Sequence, residues 1–239
     1  MISREITVFY GVNSTDKLYD PPVPVFSDAL KNEPFAQKLN DATRVFGCPA
    51  VSDYYKNTFA IPCPVDYRIQ LTDSGVFSKN YDQNFFNNAI EVRSPEQKFF
   101  SFKIPSIYFF ADTDSLYAES LAPTLSPKLI PNALYIQGTY DIANHFRPVE
   151  LAIALRDNSD IELEFNRGDH LYYLKFLTDK KVKLRRFDFT PEVLEFYGYF
   201  IPYRNYTKHD VSLKDYYKRF RSFGLKNKLL KALKNAALD

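Results

Sequence analysis

The side chains of this sequence that could carry chemistry are few, and its three histidines come first. Two of them have a carboxylate close by in the sequence, because His145 follows Asp141 by four residues and His170 directly follows Asp169. A jelly roll can hold iron with two histidines and one carboxylate that face inward. Asp169 and His170 are consecutive, however, so they would point to opposite faces of a strand. We therefore predict no bound metal or other cofactor, and a metal-dependent, oxygenase-like enzyme is the alternative function.

Two further groups of residues could in principle react. Asp112 and Asp114 flank Thr113, and carboxylates at this spacing can bind a divalent cation or act as acid and base, although an Asx turn uses the same residues. Neither Cys48 nor Cys63 has a neighbouring His or Asn that would indicate a catalytic thiol, so we expect two reduced, buried cysteines. The sequence has no Gly-x-Ser-x-Gly motif, and its seven glycines leave little room for a phosphate loop. We predict no catalytic residues and no enzymatic activity.

The C-terminal segment 204–239 differs from the rest of the chain in charge. It holds ten Lys or Arg against three Asp, a net charge of +7, and since the whole chain carries +2, residues 1–203 carry −5. Two amphipathic helices are predicted there, at 212–223 and 225–238, with a break at Gly224.

Such a segment can dock on its own domain or on another subunit, bind nucleic acid or lie on a membrane surface. Aromatic residues such as Phe220 interleave with its basic residues, which would suit stacking on bases. We predict that the segment makes the contacts with a partner. The predicted partner-binding residues are Tyr217, Lys218, Arg219, Arg221, Lys228 and Lys231.

Alternating apolar and polar residues predict antiparallel β-structure through most of the chain, because successive side chains of a strand point to opposite faces. The predicted strands are 2–12, 58–61, 65–71, two pieces of 98–111 broken at Pro105, 116–121, 149–155, 161–165, 170–177 and 181–189.

The three consecutive runs 149–155, 161–165 and 170–177 are joined by turn-forming residues, which favours a β-meander at the centre of one sheet. The third run is apolar or aromatic on both faces, so we expect it to be the more buried strand. Residues 72–88 are polar and rich in turn formers, which predicts a projecting loop.

Helical patterns are confined to 27–44, one turn after Pro49, 190–198 and the C-terminal segment. The predicted fold is mainly β: an antiparallel two-sheet sandwich or jelly roll in residues 1–203, followed by a basic helical arm in residues 204–239.

Composition narrows the class of protein. The chain has 239 residues, of which 45% are hydrophobic and 25% charged, and this balance excludes global disorder. Tyr and Phe are abundant, which supports β-structure. Two cysteines are too few for a disulfide scaffold, no apolar run approaches the roughly 20 residues of a membrane helix, and the N-terminal residues lack a signal-peptide core. We expect a protein without a membrane span that is made in a cytoplasm.

Several segments resemble a family of tailed-bacteriophage proteins. They are the turn and strand at 48–59 (CPAVSDYYKNTF), SFKIP at 101–105, GTYDI at 138–142 and FRP at 146–148. The resemblance covers about residues 45–180, and the chain lacks the tryptophans common in that family. It implies a viral origin and a β-rich fold, and it brings no activity or catalytic residues. We therefore expect a non-enzymatic bacteriophage protein that binds other phage proteins or itself, as a virion or assembly component associated with capsid, neck or tail.

Overall fold

The computed structural model describes residues 5–13, 19–25, 34–72, 75–94, 98–126, 129–130, 133–155, 161–196, 220 and 224–238. Within these ranges the chain is mainly β, as predicted, with three largely antiparallel sheets. The first sheet contains β1 (Glu5–Val12), β6 (Ile90–Ser94), β7 (Phe99–Ala111), β9 (Ala133–Tyr135), β11 (Pro148–Leu155) and β14 (Lys181–Arg186). The second contains β2 (Val23–Pro24), β3 (Thr58–Pro62), β8 (Tyr117–Leu121), β10 (Gly138–Asp141) and β13 (His170–Phe176). The third contains β4 (Tyr67–Thr72), β5 (Gly75–Ser78) and β12 (Ile161–Phe165).

Helices lie around this body of strands. Those described are α1 (Pro34–Thr43), a 3₁₀ turn (Val45–Gly47), α2 (Pro49–Tyr54), α3 (Gln83–Ala89), a helical segment at 191–196 and α4 (Leu225–Asn235). None of the helices in the described ranges is both long enough and apolar enough to cross a membrane.

The long strand β7 organises the first sheet, in which the strand order is β14-β1-β7-β11-β9 and β6 also pairs with β7. Phe102 pairs with Leu151 and Ile107 with Val149, so five steps along β7 span only two steps along β11. This bulge contains the cis Ile104–Pro105 bond. An odd number of extra residues exchanges the two faces of a strand. Phe100 and Phe102 before the bulge, and Ile107 and Phe109 after it, therefore all enter the same core.

The core lies between the sheets. Val8, Phe102, Leu151, Leu174 and the other inward residues of the first two sheets join side chains of the third sheet in one buried cluster. Alternate residues of the same strands point outward, and these outer faces carry two smaller clusters that are covered by helices. The molecule is thus a β-sandwich with helices on both outer surfaces.

The predicted β-meander is wrong, although its three strands exist. β11, β12 and β13 follow one another in the sequence but belong to the first, third and second sheet respectively. Their alternation identifies strands without identifying partners, since a strand pairs with whichever edge buries its apolar face. The greater burial of the third run is confirmed, because the inner residues 171–174 of β13 are all buried.

Two other local predictions need correction. The projecting loop predicted for residues 72–88 is wrong in its described part, since β5 and α3 lie there and α3 buries Phe86 and Ala89. Asp82 caps α3, accepting a hydrogen bond from the Phe85 backbone N–H at 3.0 Å. Both cysteines are free, but only Cys63 is buried, whereas Cys48 is exposed at the start of α2.

Candidate functional site

The helix α4 lies against the outer face of the first sheet. Leu229, Ala232 and Leu233 are buried there with a cluster of aromatic residues that includes Phe110 and Phe146. After α4, the Leu238 backbone N–H donates to the carbonyl of Arg186 at 2.8 Å, so the chain after the helix joins the edge of this sheet. The apolar side of α4 is therefore packed against the protein's own first sheet. The division into domains at residues 203 and 204 is not tested by this contact and stays a prediction.

Two lysines of α4 are held by the acidic turn that follows β7. The Lys226 ammonium donates to the Thr113 carbonyl at 2.8 Å and lies 3.5 Å from the Asp114 carboxylate, with only 13% of the lysine side chain exposed. The Lys234 ammonium lies 2.8 Å from the Asp112 carboxylate. A lysine in the first turn of a helix is unfavourable beside the positive end of the dipole, and Asp114 offsets this at Lys226. The Asp112–Asp114 pair thus neutralises part of the basic helix.

The other two lysines of α4, Lys228 and Lys231, are exposed. They are the predicted partner-binding residues that the structure describes, and they stand three residues apart on one side of the helix. The remaining predicted residues, Tyr217, Lys218, Arg219 and Arg221, lie outside the described residues.

One aromatic residue of the segment is already used internally. Phe220 is only 2% exposed, and its ring meets Phe110 edge to face at 6.2 Å between centroids. Phe220 is therefore not free to stack on a nucleic-acid base, as the interleaved sequence had suggested.

A second feature is a polar pocket of about 230 Å³ beside the bulged region of the first sheet. It is lined by Arg93, Ser101, Tyr140, Arg147, Pro148, Glu150 and Ala152. Ser101 pairs with Ala152 across β7 and β11, so two small side chains lie together where larger ones would fill the space. The Arg93 Nε donates to the Ser101 hydroxyl at 2.7 Å, and its terminal nitrogen lies 3.6 Å from the Glu91 carboxylate.

Arg147 is the unusual residue of this pocket. Its guanidinium carbon lies 5.2 Å from the centre of the Tyr140 ring, a cation–π contact. Its Nε is buried and has no hydrogen-bond partner within the described part of the chain. A buried donor without a partner costs about 1–3 kcal/mol, so such groups call for an explanation.

The positive charge of Arg147 also affects the pKa of the neighbouring His145. Burial, with a smaller contribution from the positive charge of Arg147, lowers the pKa of His145 from 6.5 to about 2. His145 is therefore a neutral imidazole at physiological pH, enclosed beside a permanent cation.

The carboxylates that the sequence places near histidines have other neighbours. Asp141 accepts two hydrogen bonds from the Asn144 side-chain amide, at 2.8 and 2.9 Å. Asp169 accepts one from the Asn166 backbone N–H at 2.6 Å. Across the described ranges, no group of three or more His, Cys, Asp or Glu side chains is placed to hold a metal ion.

Sequence reasoning did not find the pocket, because its residues come from β6, β7, β10 and the start of β11. Arg93 stands in an unremarkable polar stretch. Arg147 had one distinguishing feature, its position between Phe146 and Pro148 directly before a strand.

Comparison of this chain with protein-family models, with curated proteins and with solved structures finds no match. The resemblance to tailed-bacteriophage proteins is not tested by these comparisons and stays an expectation from the sequence. Ser101, Tyr140 and Arg147, from three of the segments that carry it, lie together in the polar pocket.

Proposed function

We propose that this chain is a non-enzymatic bacteriophage protein that binds an acidic protein partner, as a component of the virion or of its assembly. The observation that carries the proposal is the division of the α4 lysines. Lys226 and Lys234 are bound to the protein's own acidic turn, whereas Lys228 and Lys231 face solvent. The viral part of the proposal is supported by the resemblance of residues 45–180.

The exposed lysines carry a small energetic penalty that a partner would relieve. Like charges three residues apart on a helix destabilise it by about 0.2–0.5 kcal/mol per pair. Lys231 stands three residues from both Lys228 and Lys234, and α4 contains no acidic residue. Carboxylates of a partner placed along this side of α4 would convert repulsion into attraction and would raise the rate of association.

A protein partner is favoured over nucleic acid by the burial of Phe220. Binding of single strands without sequence preference combines basic residues with aromatic rings on which bases stack. On the described face of α4 the exposed side chains are lysines and asparagines, while the ring of Phe220 packs against Phe110 of the sheet.

The experiment compares two double charge reversals in the phage that encodes the chain. Lys228→Glu with Lys231→Glu changes the exposed side of α4, and Lys181→Glu with Lys183→Glu makes the same charge change on the exposed edge strand β14. Quantitative mass spectrometry of purified particles should find the wild type and the β14 variant at a fixed ratio to the capsid protein. The α4 variant should be depleted at least tenfold.

Cross-linking of the wild-type particles then identifies the partner as another virion protein or a second copy of this chain. Absence of the wild-type protein from particles, or equal retention of both variants, would contradict the proposal. Salt-sensitive binding of purified protein to DNA or RNA that is lost in the α4 variant would favour the nucleic-acid alternative instead.

A further inference from the structure

The polar pocket has a chemical character that the proposed partner surface does not use. Its walls carry two guanidinium groups, from Arg93 and Arg147, and its floor is formed by the small residues Ser101 and Ala152. Tyr140 and Pro148 add apolar surface beside the guanidinium of Arg147. A site with this composition can hold a small molecule that has one charged end and one apolar end.

The two arginines differ in whether their N–H donors have hydrogen-bond partners. Arg93 donates to Ser101 and lies near the Glu91 carboxylate, so its fork is already engaged. The Nε of Arg147, by contrast, is buried with no partner among the described residues. A guanidinium also offers its two terminal nitrogens as a planar pair of donors that matches the two oxygens of a carboxylate. The ring of Tyr140 under the guanidinium orients that plane.

The charge of the pocket selects among anions. Glu150 lines the wall, and Glu91, which also lies 3.7 Å from the Lys103 ammonium, lies beside Arg93. The Glu150 carboxylate in the wall would repel a phosphate dianion more strongly than a monoanion.

From this arrangement we propose that the pocket binds a small carboxylate, whose oxygens accept hydrogen bonds from the two terminal nitrogens of Arg147. The short apolar chain of the ligand lies against Tyr140, Pro148 and Ala152. A volume of about 230 Å³ admits a group of a few carbon atoms, either a free short-chain acid or the C-terminal residue of a peptide. The site is independent of the α4 surface.

The test is a titration of the purified full-length chain with sodium butyrate, followed by heteronuclear NMR. Saturable shifts at residues of β10 and β11 are expected, with a Kd in the millimolar range, because a ligand of so few atoms has little surface to bury. Butyramide, which has the same shape without the charge, should bind at least tenfold more weakly, and so should inorganic phosphate.

Arg147→Lys keeps the positive charge but removes the planar pair of donors, so butyrate affinity should fall at least tenfold. Arg167→Lys makes the same change at an exposed arginine that is bound to Asp20, and it should leave the affinity unchanged. Ala152→Leu fills the floor without touching Arg147 and should abolish binding, which gives a second test if Arg147→Lys does not fold.

Two peptides identical except for a free or an amidated C-terminus distinguish the sources of the carboxylate. Tighter binding of the free-terminus peptide than of butyrate indicates a chain terminus, and weaker binding indicates a free acid. The proposal is overturned if butyrate does not saturate, if phosphate or butyramide binds equally well, or if the Ala152→Leu protein binds like the wild type.

Discussion

Helices pack on the outer faces of both large sheets, and the two packed regions differ in how many side chains they bury. Among the described residues, the cluster beneath α4 contains twelve buried side chains, and α4 itself contributes Leu229, Ala232 and Leu233. The cluster beneath α1 and α2 contains five, and Leu39 of α1 and Val51 of α2 are only partly buried. Since hydrophobic stabilisation scales with the apolar area removed from water, α4 is the more strongly held of the two.

This difference bears on function. A helix held by a deep apolar contact presents its other side in a fixed orientation, which suits a binding surface. Directly after α2, the ring of Tyr55 packs against Tyr173 of the second sheet, and its hydroxyl lies 2.6 Å from that of Thr124, which follows β8. The following predictions test the depth of burial in each region.

The largest expected effect is a difference in thiol reactivity between the two cysteines. Cys48 is exposed at the start of α2, whereas burial raises the pKa of Cys63 to about 12 from an ordinary value of 9.0. A rise of that size lowers the thiolate fraction at pH 8 about a thousandfold, and the thiolate is the reactive form. Labelling of the native protein with iodoacetamide should modify Cys48 and spare Cys63 by at least that factor.

Labelling in denaturing urea provides the control, because both thiols should then react at similar rates. Peptide mass mapping assigns the modified cysteine. Comparable rates at Cys48 and Cys63 in the native protein would show that the sandwich opens near β3.

The next largest effect is expected when a buried leucine of α4 is replaced. Leu229→Ala should lower the free energy of unfolding by about 2–5 kcal/mol, because it removes a fully buried side chain and leaves a cavity. Leu39→Ala makes the same chemical change in α1, where the side chain is only partly buried, and should cost less than about 1.5 kcal/mol.

Urea unfolding followed by circular dichroism measures both values. Losses of equal size in the two variants would show that α4 is not held more strongly than α1.

A smaller effect concerns the pH dependence of stability and His145, which directly precedes Phe146 of the cluster beneath α4. In the unfolded chain the pKa of this histidine is near 6.5, whereas in the folded chain it is lowered to about 2. Between these values the unfolded state binds one more proton, so its stability relative to the folded state rises as pH falls. The free energy of unfolding should therefore drop by about 1.4 kcal/mol for each pH unit below about 6.5.

Urea unfolding at pH 7, 6 and 5 tests this, with His145→Gln as the variant that cannot take up the proton. The pH dependence of the variant should be shallower by about one proton. Parallel profiles for the two proteins would show that His145 takes up its proton equally in the folded and the unfolded state.

The positions of most strands and the buried face of α4 could be predicted from the sequence, whereas the pairing of the strands could not. The strands β1, β3, β4, β8, β11, β12, β13 and β14 lie close to their predicted positions because period-two alternation is a property of neighbouring residues. The face of α4 follows from its leucine spacing in the same way. The β7 bulge was anticipated only as a break at Pro105, since its geometry depends on Val149 and Leu151 of the partner strand.

The candidate sites divide along the same line. Lys228 and Lys231 could be named in advance, because an amphipathic helix places its lysines opposite its leucines. The Lys226–Asp114 pair could not, since those two residues are 112 positions apart in the sequence. Arg93 lies in β6 and Arg147 directly precedes β11, and their shared pocket exists only because β6, β7, β10 and β11 meet there.

The amino-acid sequence alone determined where most of the strands and the last helix lie, and that this helix is basic on one side and apolar on the other. Only the tertiary structure decided which sheet each strand joins, which lysines are neutralised, and that an arginine donor is left buried beside a small pocket. The physical reason is the range of the interactions. Alternation and helical periodicity depend on residues within a few positions, whereas strand pairing, charge neutralisation and cavities depend on residues brought together from distant parts of the chain.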